Sequence, residues 1–306
     1  MTHQCGRSTV LYPSLQEIVN VASVPQRSPF RYPGGKTWLI PQLRRWLNNM
    51  ARPRLLIEPF AGGGIMGLTA AFEQLAEKVL LVELDPDVAA VWRAILNGQG
   101  ERLARRIESF QLTRESACAA LGSKAHSIVD RAFATILRNR VQHGGILAPG
   151  ASLMRKGENG KGIGSRWYAE TLAKRIRSIA ENRSSISLLQ ADGFTVIEQY
   201  HDDRDVVFFV DPPYVTAGRR LYKYSEVDHH RLFQLMRGVA GEFLITYDDT
   251  PEVRAWVDEF DLKCESVAMK SRQHSRKSEL LIGRDLQWLQ TRPQSLGAPS
   301  SLAASR

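Results

Sequence analysis

The sequence predicts an α/β fold in which a doubly wound, parallel sheet carries a mostly helical insertion. Three observations support this prediction. Short apolar runs alternate with amphipathic segments over most of the 306 residues, a glycine-rich turn follows an early run, and an Asp-Pro-Pro-Tyr tetrapeptide follows a later one. Strands that alternate with helices form parallel sheets, and ligands bind beyond the carboxyl ends of such strands.

Six apolar runs predict the buried strands, and three segments with apolar residues at helical spacing predict helices beside them. The strands are predicted at residues 54–58, 79–83, 186–190, 206–210, 243–247 and 279–282. The helices are predicted at residues 67–77, 87–96 and 228–239. The sheet domain therefore comprises residues 28–104 and 186–286.

Residues 105–185 interrupt the alternation and predict an inserted helical domain. Helical spacing recurs at residues 127–137 and 167–179, with a glycine-rich basic loop at residues 144–164 between them. Residues 1–27 are expected to form a loose arm or a short helix. Residues 287–306, rich in Ser, Ala, Pro and Arg, are expected to form a disordered tail.

The composition is that of an ordinary globular protein, and its positive charge is compatible with a polyanionic partner. The net charge is +9 and the sequence pI is about 9.6, a balance that favours phosphate-bearing ligands. No run reaches the roughly 18 apolar residues of a membrane helix, and no secretory signal is evident. Cys5, Cys118 and Cys264 fit neither a disulfide framework nor a zinc site, so a cytoplasmic location is expected.

The glycine-rich turn after the first strand predicts a site for a nucleoside-containing cofactor. Glycines let the backbone approach a ligand, and the helix that follows begins with N–H groups directed at it. Glu83 follows Gly62 by about 21 residues, the spacing typical of an acid that holds ribose hydroxyls. Gly62, Gly64 and Gly67 also fit a dinucleotide pattern, but Glu58 would repel a pyrophosphate and suits a cation such as a methionyl ammonium. A turn that binds nothing is the alternative.

The tetrapeptide Asp211-Pro212-Pro213-Tyr214 ends the strand at residues 206–210 and predicts a rigid catalytic element. The prolines cannot extend the strand, and they stiffen the turn. An exocyclic amine is a weak nucleophile, and Asp211 and the Pro212 carbonyl are placed to accept its two N–H bonds. Tyr214 is placed to stack on a base rotated out of a duplex. An ordinary proline turn is the alternative.

Four motifs together resemble the Dam-like (alpha-group) family of adenine-specific DNA methyltransferases over roughly residues 29–284. They are Phe30-Arg31-Tyr32-Pro33-Gly34-Gly35-Lys36, Glu58-Pro59-Phe60-Ala61-Gly62-Gly63-Gly64, Ala191-Asp192-Gly193-Phe194 and Asp211-Pro212-Pro213-Tyr214. The resemblance implies a Rossmann-like methyltransferase sheet, S-adenosyl-methionine as methyl donor, and the insertion as a target-recognition lobe. It also implies a site-specific enzyme that methylates the N6 amino group of adenine in double-stranded DNA after flipping the base.

Carried over by position, the resemblance assigns a donor-binding set and a catalytic set. The donor is expected to contact Tyr32, Gly35, Lys36, Glu58, Phe60, Gly62, Gly64, Glu83, Asp192, Phe194 and Asp211. Among these, Lys36 is expected near the methionyl end, Glu83 at the ribose and Asp192 at the adenine amino group. The catalytic set is Asp211, Pro212 and Tyr214.

DNA contacts are expected from basic residues of the insertion and of a loop after the catalytic motif. They are Arg138, Arg140, Arg155, Lys156, Lys161 and Lys223. Arg138-Asn139-Arg140 before Gly144-Gly145 resembles a family segment, although residues 141–143 replace its usual aromatic residue and Asn. The basic stretch at residues 270–277 fits a phosphate contact or a solvated loop equally well. His229-His230 has no third ligand at zinc spacing, so no metal site is expected.

Three other functions fit the sequence. Methylation of the N4 amino group of cytosine would use the same chemistry, RNA would be an alternative substrate, and a catalytically silent DNA-binding protein could share the fold. The intact donor loop and tetrapeptide argue against the last. The resemblance further implies a monomer from a bacterial or phage-encoded setting, with a cognate restriction endonuclease as a candidate partner.

Overall fold

The computed structural model of the chain describes residues 19–31, 35–148, 150–157, 160–214, 224, 226–270 and 276–290. Within these ranges seven strands form one sheet. In chain order they are β1 (Leu55–Glu58), β2 (Lys78–Val82), β3 (Ile186–Leu189), β4 (Val206–Val210), β5 (Phe243–Asp248), β6 (Lys263–Lys270) and β7 (Arg276–Gly283).

The strands lie in the order β3-β2-β1-β4-β5-β7-β6. The first five are parallel, whereas β7 runs antiparallel to both β5 and β6. The neighbours β1 and β4 are far apart in the chain, and the direction of winding reverses between them. A doubly wound sheet binds its ligands at such a switch point.

Ten α-helices cover the two faces of the sheet. They are α1 (Ile40–Asn48), α2 (Ile65–Phe72), α3 (Pro86–Ala94), α4 (Gly100–Ser109), α5 (Arg114–Gly122), α6 (Ile128–Val141), α7 (Ala169–Glu181), α8 (Gly193–Gln199), α9 (His229–Gly238) and α10 (Pro251–Glu259), all within the described residues. Six of them begin at a side-chain cap that accepts a backbone N–H of the first turn. These caps are Asp85, Thr113, Ser127, Asp192, Asp228 and Thr250.

Alternate residues of each strand enter two separate cores. On β1, Leu56 belongs to the core that contains buried residues of α1, α2, α3, α4, α6 and α7, whereas Ile57 belongs to the core that contains those of α8, α9 and α10. The side-chain period of two along a strand produces this division. The molecule is therefore a three-layer sandwich with helices on both faces, as the alternating sequence pattern predicts.

The predicted strands agree with the observed ones to within about three residues at either end, but one strand was not predicted. Lys263–Lys270 forms β6 at the sheet edge and pairs with β7 over its whole length. Its sequence mixes Lys, Cys, Glu and Ser with apolar residues, and it lacks the continuous apolar run of a central strand. Edge strands carry such charged residues because one side of the ladder faces solvent.

The helices of the insertion share a core with the sheet. Buried residues of α4, α6 and α7 belong to the same cluster as those of α1, α2 and α3. The link from α3 to α4 is a π-helical segment, Ile95–Gln99, kinked at Gly98 with φ of 85°. The insertion is thus built directly onto one face of the sheet.

Candidate active site

A cavity of about 600 Å³ opens where β1, β2 and β4 end, beside the switch point. This volume lies in the range of pockets that hold small molecules and cofactors. Its lining contains every described residue of the expected donor-binding set: Gly35, Lys36, Glu58, Phe60, Gly62, Gly64, Glu83, Asp192, Phe194 and Asp211. Tyr32, the remaining member of the set, lies outside the described residues.

The glycine turn forms one wall of the cavity. Gly62 and Gly64 have positive φ values of 47° and 59°, a backbone conformation that other residues rarely adopt. A Cβ at Gly64 would also approach Cζ2 of Trp92 to 3.2 Å. The same indole donates its Nε1–H to the Gly62 carbonyl at 3.0 Å. Trp92 therefore holds the turn from behind, a role that the sequence analysis did not assign.

Glu83 ties the glycine turn to the end of β2. Its Oε2 accepts the Gly62 N–H at 2.9 Å, and its Oε1 accepts the Asp85 N–H at 2.8 Å. Burial, which the two N–H bonds only partly offset, raises the pKa of Glu83 to about 7. The carboxylate thus shapes the pocket wall in addition to presenting an acid to the cavity.

Glu58 lies at the end of β1 beneath the same turn. It is 3% exposed, and its Oε2 accepts the Gly67 N–H at 2.9 Å. Burial, together with the nearby Asp211 and Glu83 charges, raises the pKa of Glu58 to about 8. A buried acid with so few partners is a favourable place for a cationic ligand.

Two aromatic side chains and an acid form the opposite part of the lining. Phe60 and Phe194 meet edge to face with ring centroids 6.2 Å apart. Asp192 precedes Phe194 and caps α8, where its Oδ1 accepts the Phe194 N–H at 3.1 Å. The close approach of Gly193 to Pro59 fixes this corner, since a Cβ at Gly193 would lie 2.6 Å from the Pro59 carbonyl oxygen. An apolar slot with a carboxylate at its end suits a purine ring.

Asp211 ends β4 and belongs to a charged cluster centred on Lys36. The Lys36 ammonium is 2.9 Å from Asp211 Oδ1, 2.6 Å from Tyr214 Oη and 3.3 Å from Glu279 Oε2. Thr246 donates its hydroxyl to the same Asp211 Oδ1 at 2.8 Å. Two donors thus fix one carboxylate oxygen, and Oδ2 makes no hydrogen bond with the described residues. Neither Glu279 nor Thr246 was predicted from the sequence.

Tyr214 is supported from behind by a buried aromatic group. Its ring stacks on Tyr247 with centroids 6.0 Å apart and 25° between the planes. The Tyr247 hydroxyl is 2.7 Å from His229 Nδ1, and the His229 ring stacks on Trp256. Burial lowers the pKa of His229. His229 therefore has a structural role in packing and hydrogen bonding. Its neighbour His230 contacts Glu259.

This geometry accords with a comparison of the chain with known families. Residues 32–120 match the family model described as D12 class N6 adenine-specific DNA methyltransferase. Over this range, 89 of its 306 residues, the chain resembles a methyltransferase. The matched range contains the glycine turn, Glu58 and Glu83, whereas the Asp-Pro-Pro-Tyr motif lies beyond it. The match confirms S-adenosyl-methionine as the cofactor, and the sheet confirms the expected Rossmann-like methyltransferase fold.

Several solved structures are similar to the chain, at low sequence identity and low TM-score. The rRNA methyltransferase aviRa from Streptomyces viridochromogenes is 13% identical with a TM-score of 0.42, over 89% of this chain and 96% of that one. A SAM-dependent methyltransferase from Agrobacterium tumefaciens is 11% identical with a TM-score of 0.37, over 79% and 58%. Precorrin-6y C5,15-methyltransferase from Geobacter metallireducens is 8% identical with a TM-score of 0.37, over 83% and 92%. No curated protein matches the chain.

The buried acids of the cavity predict that donor binding depends on pH. A bound sulfonium and ammonium stabilise ionised carboxylates, so binding lowers the raised pKa values of Glu58 and Glu83 and releases protons. We expect the affinity for S-adenosyl-methionine to rise roughly tenfold between about pH 6 and pH 8.5. Calorimetry in buffers of different ionisation heat measures both the affinity and the number of protons released on binding. Adenosine, which carries no charge, is the control, and a pH-independent donor affinity would contradict the assignment.

The expected DNA-binding residues differ in exposure. Arg155, Lys156 and Lys161 are exposed on the loop of the insertion, and Arg138 is half-buried on α6. Lys223 lies outside the described residues, as do residues 271–275 of the basic stretch. The exposed set is compatible with phosphate contacts.

Arg140 requires a correction, because it is buried and does not face solvent. It is 5% exposed, and its guanidinium donates to the Pro29 carbonyl oxygen. Burial and the nearby charges of Arg175, Arg31 and Arg166 lower the pKa of Arg140 to about 9. A side chain committed in this way cannot reach a surface phosphate, so the prediction of a DNA contact at Arg140 is wrong.

Asn139 explains why this part of α6 is constrained. Its Oδ1 accepts the Arg31 N–H at 2.9 Å, and its Nδ2 donates to the carbonyl oxygens of Arg31 and Gly145 at 3.2 and 2.8 Å. Gly145 has a φ of 76°, and a Cβ there would lie 2.3 Å from the Arg31 carbonyl oxygen. Asn139 and Arg140 therefore bind the backbone of Pro29 and Arg31 to the insertion.

No group of three or more metal-ligating side chains occurs among the described residues. No helix in the described part of the chain is long and apolar enough to cross a membrane.

Proposed function

We propose that the chain transfers the methyl group of S-adenosyl-methionine to the N6 amino group of adenine in DNA. The observation that carries the proposal is the fixed orientation of Asp211 at the rim of the donor cavity. Lys36 and Thr246 hold its Oδ1, which leaves Oδ2 to accept an N–H of the target amine. The matched adenine-specific family supports the choice of base.

The chemistry requires an acceptor of this kind because the lone pair of an aromatic amine is delocalised into the ring. Asp211 Oδ2 and the Pro212 carbonyl accept the two N–H bonds and orient the nitrogen lone pair toward the cavity. The donor supplies an electrophilic methyl group on a sulfonium. Catalysis then consists of positioning and electrostatic stabilisation by groups that are already in place.

Different residues of the cavity bind different parts of the donor. Glu83 accepts the ribose hydroxyls, Asp192 accepts the adenine amino group, and Phe60 and Phe194 enclose the purine edge. Glu58 supplies negative charge near the methionyl end. Glycines 62 and 64 let the backbone approach the donor without a Cβ in the way.

Tyr214 stacks on the flipped base, and Tyr247 supports the Tyr214 ring from the other side. A base rotated out of a duplex loses its neighbours, and an aromatic platform compensates for part of that loss. The exposed Arg155, Lys156 and Lys161 contact phosphates of the duplex, as the net charge of +9 favours. The insertion that carries them recognises the target sequence.

The test is incubation of the purified chain with unmethylated DNA and labelled S-adenosyl-methionine, followed by nucleoside analysis. Label in N6-methyladenine is the expected result, and sequencing for modified positions then yields the recognition site. Label in N4-methylcytosine would replace the target base. Label only when RNA is supplied would replace the substrate. The absence of both donor binding and transfer to either polymer would support a silent DNA-binding protein.

The proposal extends to the expected setting of the enzyme. A monomer suffices because the donor cavity and the catalytic cluster lie within one chain. Light scattering of the protein bound to a short duplex measures this stoichiometry. A cognate restriction endonuclease would cleave the site that sequencing reveals, so cleavage of unmethylated DNA by lysate of the source cells tests for that partner.

A further inference from the structure

Glu279 is a buried acid that neither the motifs nor the proposed function uses. It lies on β7 opposite Asp248 of β5, and it is 5% exposed. Burial raises its pKa, and the nearby Asp211 charge raises it further. An acid buried to this extent destabilises the fold unless it is paired. Its pairing partners therefore indicate its role.

The partner of Glu279 is the ammonium that also holds the catalytic acid. Lys36 Nζ is 3.3 Å from Glu279 Oε2 and 2.9 Å from Asp211 Oδ1. The contact with Glu279 is an ion pair without hydrogen-bond alignment. The hydroxyl of Tyr214 contacts both Lys36 and Glu279. Glu279 thus contacts both Lys36, which holds Asp211, and Tyr214 of the catalytic tetrapeptide.

We infer that Glu279 is a positioning residue for methyl transfer, acting through Lys36 on Asp211 and Tyr214. This inference rests on the proposed function of the same site. Two carboxylates share one ammonium, so Asp211 is oriented by Lys36 without losing all of its negative charge to it. A net negative cluster also complements the positive sulfonium of the donor.

The ionised form of Glu279 is the active one. When Glu279 is neutral, Lys36 pairs with Asp211 alone, and Asp211 becomes a weaker acceptor for the target amine. Because the pKa of Glu279 is raised, this change occurs as the pH falls through that raised value. Activity that depends on Glu279 is therefore present above its pKa and is lost on acidification.

The experiment compares kcat and KM of the wild type and Glu279→Gln between about pH 5 and pH 9. At high pH we expect kcat of the variant to be below the wild-type value by up to roughly tenfold. KM for the donor should be unchanged. The two kcat values should converge at low pH, because a protonated Glu and a Gln are both neutral. Glu279→Asp, which keeps the charge, should retain the pH dependence with an intermediate kcat.

Other outcomes would overturn the inference. The same fold-loss at every pH would indicate a structural role only, and an unchanged kcat would remove any role. If Glu279→Gln does not fold, Glu279→Asp provides the test. The shorter Asp side chain withdraws the carboxylate from Lys36, so an unchanged kcat in this variant would contradict the inference. A wild type that methylates cytosine or RNA would alter the proposed function and leave this inference intact.

Glu73→Gln is the matched control. Glu73 is also a carboxylate in ion pairs, with Arg27 and Arg44, and it lies away from the cavity. These pairs lower its pKa. Its replacement is expected to leave kcat and the pH profile as in the wild type.

Discussion

Asp211→Asn is expected to lower kcat by about a thousandfold or more, equivalent to roughly 4 kcal/mol of transition-state stabilisation. Asn keeps the shape of Asp and one acceptor oxygen, which Lys36 and Thr246 occupy. Its amide NH₂ then faces the target amine, so two donors meet and the amine is no longer oriented. Single-turnover transfer of labelled methyl groups to DNA measures the effect.

Donor binding separates this role from a general loss of structure. The Kd for S-adenosyl-methionine should stay within a few-fold of the wild type, because Glu58 and Glu83 are intact. Asp249→Asn serves as the control, since Asp249 follows the neighbouring strand β5 but pairs with Arg254. Near-normal transfer by Asp211→Asn would refute the assignment of Asp211 as the amine acceptor.

Glu83→Gln is expected to weaken donor binding by about 10- to 100-fold, through the loss of charge-assisted hydrogen bonds worth roughly 1.5–3 kcal/mol each. Both Glu83 oxygens accept backbone N–H groups, from Gly62 and Asp85. A Gln presents its NH₂ to one of these donors, so the glycine turn shifts and a ribose acceptor disappears. Equilibrium dialysis with labelled S-adenosyl-methionine measures Kd.

The pattern of kinetic constants distinguishes Glu83 from Asp211. Glu83→Gln should raise KM for the donor while kcat at saturating donor changes by much less. Glu101→Gln is the control, because Glu101 is an exposed acid of α4 paired with Arg105 and Arg177. An unchanged donor affinity in Glu83→Gln would exclude the ribose assignment.

Most of the sheet could be predicted because its central strands are buried on both faces. Val206–Val210 is apolar at every position, and all five residues are buried. The edge strand β6 could not be predicted in this way, because Lys263 and Glu265 alternate with apolar residues and its ladder has one neighbour. A continuous apolar run indicates a strand buried on both faces, and the charged residues of β6 break such a run.

The site was predictable to the extent that its residues follow strand ends. Glu58, Glu83 and Asp211 each stand at or just after the carboxyl end of a parallel strand, and all three line one cavity. Glu279 lies inside an antiparallel strand, where the sequence pattern predicts that an acid is exposed to solvent. Arg140 appeared to be a surface cation, but the tertiary structure buries it against Pro29.

The sequence by itself determined the fold class, the place of the glycine turn and the identity of the acid after β4. Each is a local property, since hydrophobic period, glycine content and proline stiffness act within a few residues. Only the tertiary structure decided that Lys36, Asp211, Tyr214 and Glu279 form one charged cluster. Lys36 and Tyr214 are 178 positions apart. Their contact depends on strand order and register, which long-range packing sets and no local pattern records.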